Sequence, residues 1–76
     1  MKKLSVARTG EKGRIISVQG DTRFLNRITS IGITIGSEVQ VIQNQKKWPV
    51  LVYGRDTMIA INHSECDKIM LEAISE

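Results

Sequence analysis

Between Gly20 and Gly36, in GDTRFLNRITSIGITIG, apolar residues recur at helical spacing, while the segments on either side alternate as strands do. A chain patterned this way is confined to a β fold that receives one short helix. Phe24, Leu25, Ile28 and Ile31 fall on one helical face, and Arg23, Asn26, Arg27 and Ser30 fall mostly on the other. Asp21, or Thr22 if the helix begins one residue later, can accept a hydrogen bond from the free N–H groups of the first turn, and Gly20 lets the incoming strand bend. Gly32 suits the left-handed residue that ends a helix and folds Ile33 back over the last turn. Gly36 then permits a second turn.

Leu4 and Val6 make a short apolar entry, and Gly10 with Gly13 bracket Glu11-Lys12 as a tight turn. In the strand Arg14 to Gln19, Ile16 and Val18 share one face and Ile15 and Ser17 the other. Beyond the helix, Glu38 to Ile42 points Val39 and Val41 inward, and QNQKK reads as a loop tip. Trp48-Pro49 opens a strand whose Val50, Leu51, Val52 and Tyr53 are apolar on both faces. That places the strand at the centre of a closed barrel or beside an exposed apolar groove. Gly54-Arg55-Asp56 turns into the hairpin partner MIAI, Ser64 can cap one helical turn, and Ile69, Met70, Leu71 and Ile74 form the last strand. About five short strands, one inserted helix and a short helical turn before the last strand predict a small, mainly β barrel, since closure removes open edges. A barrel of this size has no room for an internal ligand, so its function belongs on the outside.

At 76 residues the chain is expected to form a single domain, 1–76, hiding only about 60% of its unfolded surface. No run approaches the roughly 18 apolar residues that span a bilayer, and MKKLSVARTG lacks the apolar core of a signal peptide. A lone cysteine, Cys66, forms no internal disulfide and agrees with a reducing, cytoplasmic location. The net charge of +3 is uneven: Lys2, Lys3, Arg8, Lys12, Arg14, Arg23 and Arg27 precede residue 28, against only Glu11 and Asp21. A basic half fits an acidic partner, or simply a solvated surface.

His63-Ser64-Glu65-Cys66 is the one cluster that could hold a metal or act as a nucleophile. Imidazole and thiolate three residues apart suit zinc or ferrous iron, but a closed site needs four ligands. The plainer reading makes Cys66 a small buried hydrophobe and His63 a solvated side chain. No third residue orients a Cys66–His63 catalytic pair, and Gly10-Glu11-Lys12-Gly13 lacks P-loop spacing. Nucleic-acid binding wants aromatics among basic residues, and Phe24, Trp48 and Tyr53 are the aromatics present. Trp48, Leu51, Tyr53 and Met58 either complete the core or make an apolar contact patch.

The succession Leu4, Gly10, Gly13, Ile15, Gly20, then NRITSIGITIGSEVQVI, then PVLVYGRDTMIAINHSECDKIML resembles the FeoA family, the small cytosolic partner of the bacterial ferrous iron transporter FeoB. Arg27-Ile28, Ile31-Gly32-Ile33 and Gly36 occupy the places of its helix end and following turn. Gly54, Ile59-Ala60-Ile61, Glu65, Ile69 and Leu71 match its closing hairpin, turn and strand. Ile35 stands where Pro is usual, Asn62 where Arg often closes a strand, Cys66 where Ala is common, and NQKKW replaces the usual tip.

The resemblance implies an SH3-like barrel without enzymatic activity that binds the cytosolic GTPase domain of FeoB and supports ferrous iron uptake. The same domain closes iron-dependent repressors, whose preceding DNA-binding domain is not seen in this sequence. The expected contact residues are Arg23, Arg27, Trp48, Leu51 and Tyr53, around a groove beside the inserted helix and the strand after Trp48. Two alternatives stay open: a transition-metal domain holding Fe2+ or another ion through His63, Glu65 and Cys66, and an SH3-like nucleic-acid-binding module. The leading reading requires no cofactor, no nucleic-acid partner and no membrane insertion, and leaves a weak homo-oligomer open.

Overall fold

The computed structural model describes residues 1–74. Its elements are β1 (Lys2–Lys3), a 3₁₀ turn (Leu4–Val6), β2 (Lys12–Val18), α1 (Thr22–Ser30), β3 (Glu38–Gln43), β4 (Val50–Gly54), β5 (Thr57–Ile61), α2 (His63–Cys66) and β6 (Ile69–Ala73). The strands form one six-stranded antiparallel sheet in the order β1-β6-β2-β3-β4-β5.

Alternation decides which side chains enter the core. Val39 and Val41 of β3, Val50 and Val52 of β4, Ile59 and Ile61 of β5, and Ile69 and Leu71 of β6 all point inward and are buried. Each such side chain contributes about 1.5–3 kcal/mol by leaving water. Leu51 and Tyr53, at the intervening positions of β4, lie half-buried and exposed, so this strand wets one face like its neighbours. In β2 the register shifts between Ile15 and Ser17, and in β3–β4 between Val41 and Gln43. Such irregularities bend a sheet around what it packs on. The shift in β2 also resets its faces: Ile15 is fully buried while Val18 packs partly against the same core.

The helix bounds follow from side-chain chemistry. Asp21 Oδ1 accepts from the Phe24 N–H at 2.9 Å, capping the first turn. At the other end the Ile33 N–H reaches the Ile28 carbonyl (3.0 Å) and the Gly32 N–H the Thr29 carbonyl (3.0 Å), the paired bonds of a Schellman ending. Gly32 sits at φ +104°, where a Cβ would be strained. Ile33 returns to the core beside Ile28, and Phe24 and Ile28 carry the buried edge of α1. Lys68 Nζ lies 4.8 Å from the Phe24 ring centroid and closes the top of that contact.

Several expectations are corrected. The sheet has a sixth strand, β1, and hydrogen bonding does not close it, because β5 and β1 are edges that do not pair. A two-residue segment paired across the whole chain leaves no local pattern to read. Gly13 lies within β2, not in a turn: a Cβ there would stand 3.3 Å from the Glu72 carbonyl oxygen and the Leu71 side chain, so glycine allows β6 to approach. The turn falls earlier, at Thr9–Gly10. Asn62, not Ser64, is the N-cap residue of α2, and its side chain makes no capping bond. The strand after Trp48-Pro49 begins at Val50.

Asp21→Ala should lower stability by about 1 kcal/mol, and Gly32→Ala by about 1–2 kcal/mol. Urea unfolding with an unchanged slope would show both losses as shifts of the midpoint, additive because the sites lie at opposite ends of α1.

Candidate docking surface

Three exposed features surround the core: the short helix α2 with its partners, the outer face of β4 and β5, and a groove along α1. In α2 the Glu65 and His63 side chains are directed to different neighbours. Glu65 forms an ion pair with Arg27 of α1. The Nε2–H of His63 donates to the carbonyl oxygens of Gln45 (2.8 Å) and Trp48 (3.0 Å), which ties both ends of the loop before β4 to α2. That loop is held on its other side by Asn44, whose amide nitrogen donates to the carbonyls of Ser5 (3.0 Å) and Ala7 (2.7 Å).

Cys66 points the opposite way. It is fully buried with Sγ 3.7 Å from the Ile61 carbonyl, and burial, assisted by the charge of Asp67, pushes its thiol up to about 12. His63, Glu65 and Cys66 therefore leave α2 in three directions and are not brought together as one donor set. Among the described residues no group of three His, Cys, Asp or Glu is arranged to hold a metal ion. A protonated thiol facing a carbonyl, with the imidazole turned toward a loop, also makes no nucleophile–base pair.

The outer face of β4 and β5 carries the apolar side chains expected of a contact patch. Tyr53 and Met58 are directly opposite each other across the hairpin, and Leu51 is opposite Ala60. Tyr53 and Met58 are exposed at 41% and 55%, and Trp48, just before β4, at 60%. The Tyr53 hydroxyl donates to Asp56 Oδ1 at 3.2 Å, and that bond raises its pKa. Arg55 and Asp56 both have positive φ (53° and 61°), the two-residue turn that keeps the hairpin tight and matches the twist of its strands.

The groove lies elsewhere than the sequence suggests. A cavity of about 310 Å³ runs between Leu25, Ile28 and Thr29 of α1, Val18 of β2 and residues Ile33, Thr34 and Ile35. Leu25, assigned to the buried face by spacing, stands instead on the groove wall, and Ile35 is 69% exposed on its rim. Trp48, Leu51 and Tyr53 are not among its lining residues. Arg23 and Arg27 occupy the flank of α1 opposite Leu25 by helical geometry, on the side that meets α2. Of the five expected contact residues, Arg27 and Trp48 are joined through α2, and Leu51 and Tyr53 share one face of β4. The basic N-terminal half is also less free than its composition implies, since Lys2 pairs with Glu11 at 2.7 Å and holds that carboxyl below its usual range. No helix among the described residues is long and apolar enough to cross a membrane.

A bent antiparallel sheet with a helix inserted after its first long strand defines a small SH3-like β module. Residues 2–73 match the FeoA domain family, and the chain belongs to that family. A Methanocaldococcus jannaschii protein, provisionally named Fe(2+) transport protein A, is 35% identical over 72 residues, 95% of this chain and 87% of that one. Among solved structures, an iron uptake regulatory protein (FeoA) superposes with TM-score 0.90 at 22% identity, covering 95% of this chain and 96% of that one. FeoA of Stenotrophomonas maltophilia complexed with zinc, described as a prokaryotic SH3 domain protein, gives 0.80 at 22% identity over 95% and 91%. A manganese-dependent transcriptional repressor shares the fold over 41% of its length, with TM-score 0.88 at 19% identity over 96% of this chain.

The placement of Cys66 makes a pH prediction. Below about pH 8.5 the thiol is protonated in both states. Above it the unfolded thiol ionises while the folded one stays neutral toward about 12, so stability falls across that interval. Native protein at pH 8 should resist a thiol-specific reagent and react fully in denaturant, and Cys66→Ala should flatten the alkaline decline measured by unfolding.

Proposed function

We propose that this protein is a non-enzymatic accessory of ferrous iron uptake that acts in the cytoplasm by docking on the cytosolic GTPase domain of a FeoB-type transporter. The observation that carries this reading is the 35% identity, across 95% of the chain, to a protein provisionally named for Fe(2+) transport. Membership of the FeoA domain family supports it from the same side. The chemistry of the surface agrees with binding over catalysis: the thiol is buried and protonated, and the imidazole serves to tether a loop. Fe2+ enters this function as the transporter's cargo, and the accessory needs no resident cofactor for it.

The docking surface is the outer face of β4 and β5 with the α2 side of α1. Trp48 and Tyr53 supply large amphipathic contacts, Leu51 an apolar floor, and Arg23 and Arg27 the charge that orients an acidic partner. Aromatic residues and arginine are the side chains that most often dominate such interfaces.

Titrating the isolated GTPase domain into the isotope-labelled protein should move the backbone signals of these segments. Tyr53→Ala combined with Arg27→Glu should weaken binding at least about tenfold while leaving the circular dichroism spectrum unchanged. Equal binding by the double variant would remove the surface assignment, and absence of binding by the unaltered protein would remove the function.

A further inference from the structure

The two edges of the sheet are built differently. β1 is two residues long and both are lysine, which guards it against pairing with another chain. β5, at the opposite edge, has five residues, Thr57-Met58-Ile59-Ala60-Ile61, without a charge or a proline. β4 is the element that runs alongside it. One edge is protected and the other is not.

The register says which groups on β5 are available. A two-residue turn makes Gly54 and Thr57 a hydrogen-bonded pair, so Val52–Ile59 and Val50–Ile61 are hydrogen-bonded pairs as well. The N–H and C=O groups of Met58 and Ala60 must then point away from β4. Among the described residues no turn or loop bond takes them up, and both residues are exposed.

We propose that β5 is a self-association edge, on which a second copy of this chain pairs its own β5 antiparallel about a two-fold axis at Ile59. In that register Met58 faces Ala60 of the second copy and Ala60 faces Met58 of the second copy, each pair exchanging two backbone hydrogen bonds. The available donors and acceptors of one copy match those of the other. Ile59 lies opposite its own counterpart at the closer, non-hydrogen-bonded position on the core side. On the outer face the long Met58 side chain meets the small Ala60 of its mate, extending the Tyr53–Met58 pair and the Leu51–Ala60 pair into one apolar strip. A strand edge that pairs with its own copy in this way makes an isologous contact, which closes at a dimer. The edge is short, so the association is weak, and the two docking faces lie side by side and open.

The test needs no transporter, so its failure is separate from failure of the proposed function. Sedimentation equilibrium on the full chain from micromolar to millimolar concentration should follow a monomer–dimer equilibrium, and amide exchange at Met58 and Ala60 should slow as concentration rises. Met58→Lys, a charge on the exposed edge, should weaken the dimer at least about tenfold. Ala60→Pro, which removes an outward N–H and leaves the β4 ladder intact, should do the same. Ile35→Lys, on the rim of the groove, should change nothing. If Ala60→Pro fails to fold, Met58→Lys decides. A chain monomeric throughout, including one that reserves this edge for a foreign strand, or a dimer indifferent to Met58→Lys, overturns the proposal.

Discussion

The seating of α1 on the inner face of the sheet is the contact on which the rest of the molecule depends. A bent sheet whose ends do not pair has one apolar face, and that face needs a cover. Phe24 and Ile28 supply it from the helix, Ile33 from the segment that folds back after Gly32, and Leu4 and Ala7 from the N-terminal turn. The polar groups at both helix ends are satisfied locally, by Asp21 at the start and by the doubled-back amides of Gly32 and Ile33 at the end. A short helix that would be marginal in water alone is thus held by packing and by its caps.

With the interior filled this way, the docking surface we propose is built from what remains outside. α2 connects its parts: Glu65 reaches back to Arg27, His63 reaches across to the loop that presents Trp48, and Cys66 anchors the turn in the core. The arrangement uses each of the residues that might have chelated a metal for a different structural purpose. The fold is shared with FeoA structures and with part of a manganese-dependent repressor, and a shared fold does not by itself fix a role. In this chain the hairpin of β4 and β5 presents exposed Tyr53 and Met58 on the face where we propose the docking contacts.

Much of this was legible in the residues because the signals are local. Asp21 before an apolar period, Gly32 after it, the alternation of Val39 and Val41, and Gly54-Arg55-Asp56 between apolar runs each have a short-range physical cause. The misplaced features depend on partners distant in sequence. β1 exists because Lys2 and Lys3 meet Leu71 and Met70, and Gly13 is a glycine because β6 passes close to it. The register shift after Ile15 cannot be read from an alternation that looks intact. Leu25 fits the apolar spacing of α1 yet lies on its shoulder, where the groove begins. The directions of His63, Glu65 and Cys66 are settled by a loop, a helix and a core that only the folded chain assembles.

Unfolding of Ile28→Ala in urea, followed by the single tryptophan and by far-ultraviolet circular dichroism, addresses the seating of α1 most directly. Ile28 is 1% exposed at the centre of the helix–sheet contact. Its truncation should cost about 2–5 kcal/mol, with both signals moving to a lower midpoint together. A loss below about 1 kcal/mol, or a helix signal that disappears while the tryptophan transition stays in place, would mean that the sheet stands without α1 and would contradict the account.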